Sequence, residues 1–154
     1  MIVKVLFFED LEVGRKYVTA GRTVSEADIV NFAGLSGDFN QLHVDESYAS
    51  KTIHGGRIAH GMLVLSILSG LSTQTMLNQQ LQPAIIGLLG VTSSWKKAVK
   101  IGDTINVEIT VKEKIETSKK ERGIVKFERN AHNQNGDLVL CSEWTLLLKR
   151  KVEE

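Results

Sequence analysis

The chain has 154 residues, 42% of them apolar and 24% charged, the composition of a globular protein with one core and one domain over residues 1–154. Lys and Arg number 19 against 18 Asp and Glu, a net charge of +1, which argues against a nucleic-acid-binding surface. The lone cysteine, Cys141, excludes an internal disulfide and a Cys-cluster zinc site and fits a reducing, cytoplasmic setting.

In chain order, the opening MIVKVLFFEDLEVG has one Lys and a short apolar run that soon meets acidic residues, unlike a signal peptide. Residues 17–24 predict a first strand. Ser25-Glu-Ala-Asp28 reads as a capping box. Ile29, Phe32 and Ala33 then give one apolar face of a short helix that Gly34 and Gly37 end. Residues 38–57 read as irregular, with a helical turn near Glu46–Ala49. From Ile58 to Trp95 there is no Asp, Glu, Lys or Arg. Pro83, several glycines and many Ser, Thr, Gln and Asn exclude a membrane span there, since a span needs ~20 mostly apolar residues. The stretch predicts a helix from Gly61 to about Met76 and a strand over 84–98, both deep inside the protein.

Beyond Pro83 the period is two. Ile105, Val107, Ile109 and Val111 alternate with polar residues as a half-buried strand. Glu116–Arg122 is a charged hairpin tip, Ile124 to His132 another strand, and Asn135-Gly136 a tight-hairpin signal. Leu138, Leu140, Trp144, Leu146 and Leu148 mark the last strand. An antiparallel sheet wrapped around the uncharged helix, an α+β fold, satisfies both patterns.

The densest cluster of reactive side chains is Ser36-Gly-Asp-Phe-Asn-Gln-Leu-His43. Asp38 and His43 can hold one water between a carboxylate and an imidazole. An Asx turn and a surface histidine explain the same spacing. Ala59-His60-Gly61-Met62 sits where a loop becomes the buried helix, so free backbone N–H groups and the helix dipole make an anion site there. A glycine kept for packing and a core histidine bonded to a carbonyl are the plain alternatives. His54 and His132 read as surface residues, and the histidine spacings match no metal motif. Ser66 and Ser69 lie on the helix without a nucleophile elbow. Lys96, Lys97 and Lys100 suit either a phosphate-bearing ligand or a solvated strand end.

Three segments together resemble the MaoC-like dehydratases, with (R)-specific enoyl-CoA hydratases and (3R)-hydroxyacyl-ACP dehydratases as the nearest branches. They are Phe32-Ala-Gly-Leu-Ser-Gly-Asp-Phe-Asn-Gln-Leu-His-Val-Asp45, Ile58-Ala-His-Gly-Met62 and Leu68-Ser-Gly-Leu71. The resemblance implies a hot-dog fold paired into a homodimer or a dimer of dimers. It implies reversible hydration of trans-2-enoyl thioesters to (R)-3-hydroxyacyl thioesters in fatty acid metabolism. CoA or acyl-carrier protein is then the substrate handle, with no cofactor and no metal. Asp38 and His43 match the pair that activates water, Gly61 the backbone N–H that polarises the thioester carbonyl, Ser69 a serine that shapes the site, and Asn40 a support of the loop. Gln41 stands where the family usually has Pro, so the loop loses a fixed φ. A hot-dog thioesterase and a non-catalytic acyl-CoA-binding subunit of a heteromeric dehydratase are the alternatives. The first generally relies on an acid near the central helix, which here has none, and the intact Asp38 and His43 speak against the second.

Overall fold

The computed structural model describes residues 4–151; Met1–Val3, the start of the apolar N-terminal run, lie outside them. A 3-10 turn (Phe8–Asp10) precedes two short strands, β1 (Lys16–Val18) and β2 (Arg22–Thr23). Five helices follow: α1 (Glu26–Ser36), α2 (Gln41–Val44), α3 (Glu46–Ala49), α4 (Gly61–Thr73) and α5 (Met76–Leu81). The long strands β3 (Ile85–Trp95), β4 (Thr104–Glu116), β5 (Arg122–His132) and β6 (Leu138–Lys149) complete the chain. The antiparallel sheet runs β1-β4-β5-β6-β3, with β2 also paired to β4.

Helix α4 is the hub of the core. Leu63, Val64, Ile67, Leu68 and Leu71 bury one broad face of it. They join Ile105, Val107, Ile109 and Val111 of β4, Val125 and Phe127 of β5, and Leu146 and Leu148 of β6 in one apolar cluster. Each such side chain contributes about 1.5–3 kcal/mol on burial, so a sheet curved over an uncharged helix is the stable solution. At 13 residues, α4 is too short to span a bilayer, and no helix among the described residues is long and apolar enough to do so.

Ser25 caps α1 as its sequence predicts: its hydroxyl accepts from Asp28 N–H at 3.2 Å, and Asp28 Oδ2 accepts from Ser25 N–H at 2.8 Å. The helix runs through Gly34 and ends at Gly37, which takes φ +75°, a left-handed value that costs glycine little.

Several expectations are corrected. Residues 17–24 form two short strands, because the chain turns at Thr19–Gly21 to follow β4. The segment 38–57 contains α2 as well as α3. The uncharged helix stops at Thr73, and Thr75 caps the separate α5 by accepting from Asn78 N–H. The turn at Asn135-Gly136 is a wider loop. The Asn133 side chain accepts from the N–H groups of Asn135 and Asp137, both at 3.0 Å, and Gly136 alone takes positive φ. Strand β3 is not buried. Among the described residues it pairs only with β6 and forms an edge; Ile86, Leu88, Leu89 and Val91 are 38–54% exposed.

Candidate active site

The site is built from two segments laid side by side. Asn40 caps α2 by accepting from Leu42 N–H at 3.0 Å, which starts the single helical turn that carries His43. Gln41 occupies the first helical position, where a proline would also fit because that N–H has no helical partner. Leu42 O then accepts from Ile58 N–H at 3.1 Å. His43 Nδ1 lies 2.8 Å from Ile58 O. A carbonyl only accepts, so Nδ1 carries the proton and the neutral ring keeps a lone pair on Nε2. His43 is buried.

Asp38 sits in the link between α1 and α2, and its carboxylate is exposed. Its Oδ1 accepts from Asn40 N–H at 3.2 Å, so the Asx turn read as the plain alternative is present. It is also beside the histidines. Asp38, His43 and His60 each bring one ligating atom within 4.8 Å of the others. A water donating to one acceptor and bonded to a second, with bonds of ~2.8 Å, spans roughly 4.5 Å. The 4.8 Å limit is compatible with such a water.

The fold thus gathers two of the four histidines that look scattered in sequence. A shared metal ion would need lone pairs that converge and donors roughly 3.4 Å apart for tetrahedral zinc bonds of ~2.1 Å. The rings of His43 and His60 instead stack, with centroids 3.8 Å apart and planes at 30°, which sends in-plane lone pairs out side by side. His60 Nε2 is engaged with Asp38 O at 2.9 Å.

Gly61 opens α4 directly after His60. His60 gives no side-chain cap, and the first helical bond is Val64 N–H to His60 O at 3.1 Å. The first-turn amides thus end the helix unpaired within it, at the positive end of its dipole. Trp95 Nε1–H donates to Gly61 O at 2.8 Å. A cavity of about 260 Å³ lies against Gly61, walled by Ile58, Val64, Trp95, Lys96 and Val99. Lys97, also on its wall, is paired to Asp137 at 2.5 Å, and this pair holds the Asp137 carboxyl below its usual range. A larger cleft of about 530 Å³ lies between β1 and α5, and Asp38, His43 and Gly61 are not part of its wall.

Ser69 lies two turns further along α4, about 12 Å from Gly61 at 1.5 Å per residue. Ser66 and Ser72 donate back to Met62 O and Leu68 O. Among the described residues the Ser69 hydroxyl makes no such bond. His54 is half-buried in its loop and His132 half-buried on β5; neither joins the cluster. Trp95 and Phe32 are the neighbours that sequence reasoning missed. Trp95 ends the uncharged stretch 34 residues after Gly61, and no local pattern signals that contact.

The chain matches the family described as MaoC like domain over residues 9–132. It is 33% identical over 135 residues to the (R)-specific enoyl-CoA hydratase of Aeromonas caviae, covering 88% of this chain and 93% of that protein. It is 33% identical over 120 residues to the 3-hydroxybutyryl-CoA dehydratase of Methylorubrum extorquens, covering 78% and 73%. The protein MaoC of Klebsiella aerogenes is 38% identical over 108 residues, but that match spans 70% of this chain and only 31% of the longer relative. A crystal structure described as a monoamine oxidase regulatory protein from Archaeoglobus fulgius superposes with a TM-score of 0.92 at 37% identity, covering 97% of each chain. A protein of Mycobacterium tuberculosis described as a double hotdog fold superposes at 0.83 and 20% identity, with this chain spanning 47% of it.

Proposed function

This chain belongs to the MaoC-like dehydratase family, and on that premise we propose that it catalyses reversible hydration of trans-2-enoyl-CoA to the (R)-3-hydroxyacyl thioester. The observation that carries the reading is the gathering of Asp38 with His43 and His60, one ligating atom of each within 4.8 Å of the others, with His43 Nδ1–H tied to Ile58 O.

The tautomer assigns the roles. The water donates one hydrogen to His43 Nε2 and the other to Asp38. As its oxygen bonds to C3, the C2–C3 π pair moves toward the thioester, and negative charge collects on the carbonyl oxygen. His43 takes the first proton and returns it to C2 as the enolate collapses, so water adds across the double bond with atoms and charge balanced. Asp38 keeps the water oriented and stabilises the transient imidazolium; such acid–base assistance is worth ~100–10000-fold. The Gly61 N–H at the start of α4 receives the enolate oxygen, and one such donor is worth ~100–1000-fold. The chemistry calls for no metal and no redox cofactor. Ser69 shapes the wall further along α4, and Lys96 suits the phosphates of CoA. A reducing cytoplasm suits the free Cys141.

We propose a homodimer, or a dimer of dimers, joined through the β3 edge. Its exposed apolar residues and unpaired backbone groups invite a second strand.

The test is turnover of crotonyl-CoA by the wild type, Asp38→Asn, His43→Ala and the double variant. Asn keeps the Asx turn but carries no charge. Each single variant is expected to lose at least ~100-fold in kcat with its melting curve retained. The double should be little slower than the slower single, since both act on one water. Near-wild-type turnover by Asp38→Asn would reduce Asp38 to a turn residue. CoA release in place of hydration would point to a thioesterase, and binding without turnover to a non-catalytic subunit.

A further inference from the structure

His60 is 1% exposed and lies where Asp38, His43 and the start of α4 meet. Its Nε2 is 2.9 Å from Asp38 O, so Nε2 carries the proton and donates to that carbonyl. One face of its ring stacks on His43 at 3.8 Å. Phe32 of α1 packs on the same ring at 4.9 Å, tilted by 58°. Its backbone is the N-cap of α4, next to Gly61. Its remaining nitrogen, Nδ1, is buried and has no hydrogen-bond partner.

We infer that His60 is a positioning residue for the reaction, fixing the Asp38 backbone through Nε2–H and the His43 ring through stacking; the inference rests on the hydratase reading above. Three hydrogen bonds tie the 38–43 segment to 58–60. Two of them, Ile58 N–H to Leu42 O and His43 Nδ1–H to Ile58 O, act at the His43 end. Only the His60 bond acts at Asp38, which is otherwise exposed and held by local turn contacts. Without it the His43 end stays anchored while the carboxylate is free to drift. Histidine suits the position because one residue must both donate a hydrogen bond and present a flat ring.

Two substitutions separate the functions. His60→Gln places an N–H as many bonds from Cβ as histidine Nε2, keeping the donor and removing the ring. His60→Phe keeps the stack and removes the donor. The inference expects His60→Phe to lower kcat by ~10–100-fold, the scale of a misplaced reacting group, with KM within about threefold of wild type. His60→Gln should recover a substantial part of that kcat. A folded His60→Phe with wild-type kcat overturns the inference, as does a raised KM at unchanged kcat, or a Gln variant no faster than Phe. If His60→Phe does not fold, His60→Gln decides alone: kcat within about tenfold of wild type supports the donor role, and a loss as large as that of His43→Ala contradicts it. Amide exchange at Asn40 and Leu42 needs no turnover. It should speed up in His60→Phe and stay near wild type in His60→Gln. If the wild type hydrates nothing, the hydratase reading fails, and this exchange pattern still decides whether His60 holds the loop.

Discussion

A methyl group at Gly61 shows how tightly the start of α4 is built. An added Cβ would lie 2.9 Å from Trp95 Nε1 and 3.1 Å from Cε2, closer than packed atoms tolerate. Gly61→Ala thus pushes the indole off the Gly61 carbonyl and into the neighbouring cavity. The variant should raise KM and lower kcat/KM by ~10-fold or more, and Trp95→Leu in the same chain should restore part of it by making room. Steady-state kinetics of both variants check this, and an unchanged KM in Gly61→Ala would contradict it. Arg129 is a second residue no pattern announces, a cation on the core face of β5 at 7% exposure. Its guanidinium lies 4.4 Å from the Trp144 ring, and its Nε has no partner. Burial pushes its pKa down to about 10. A base with a depressed folded value costs stability at every pH below that value, here of order 3 kcal/mol, and the cost fades only as pH rises above about 10 toward the ordinary guanidinium value. The lost cation–π contact is worth about 1–2 kcal/mol, so Arg129→Met should raise Tm at pH 7 by a few degrees. A lower Tm would mean that the aromatic contact outweighs the buried charge. Asp38, His43 and Gly61 were legible as candidates, through the family resemblance rather than through spacing alone. Trp95, Phe32 and Arg129 were not, since their roles arise from contacts across the fold.

Short elements are held by caps and pairs rather than by periodicity. Helix α2 has four residues, too few for an apolar repeat, and its signals are Asn40 before it and Asp45 after it, each accepting from a backbone N–H further on. The long strands β4, β5 and β6 were legible because alternation over more than ten residues is hard to imitate. Strand β3 misled because an apolar run reads the same whether it lies in the core or along a sheet edge. The ends of the chain meet in a clamp. Glu9 bonds Arg150 at 2.6 Å and Asp10 bonds Lys151 at 2.5 Å. The ion pair with Lys151 lowers the Asp10 pKa, opposed by burial and aided by Phe7 N–H. A carboxylate with a depressed folded value gives stability that is present above its unfolded value near 3.8 and lost as pH falls through the folded one. Asp10→Asn should therefore lower stability at pH 7, by an amount of order 0.5 kcal/mol for a solvent-screened pair, and by less at a pH well below 3.8. Melting curves at the two pH values check this; an equal loss at both would assign the effect to the hydrogen bond with Phe7 alone.

At the scale of the molecule, the sheet around α4 leaves β3 exposed along its length, with Ile86, Leu88, Val91 and Trp95 on view. A second copy pairing there would place two sites near one seam, since Trp95 touches Gly61. Light scattering at micromolar concentration should give a dimer or tetramer, and Val91→Lys with Leu88→Lys should shift it toward monomer; a wild-type monomer would contradict the assembly. The overall architecture was legible from two features, the uncharged helix and the alternating strands after Pro83, because together they leave few ways to bury both. What was not legible is which surfaces a second chain covers, as one sequence gives the apolar edge and not its partner. The proposed hydration requires water held by Asp38 and His43 to reach C3 from one face while Gly61 fixes the carbonyl. Its most direct test is chiral analysis of the product formed from crotonyl-CoA by the wild-type protein. The account predicts (R)-3-hydroxybutyryl-CoA in large excess; the S product, or no hydration by folded protein, would contradict it.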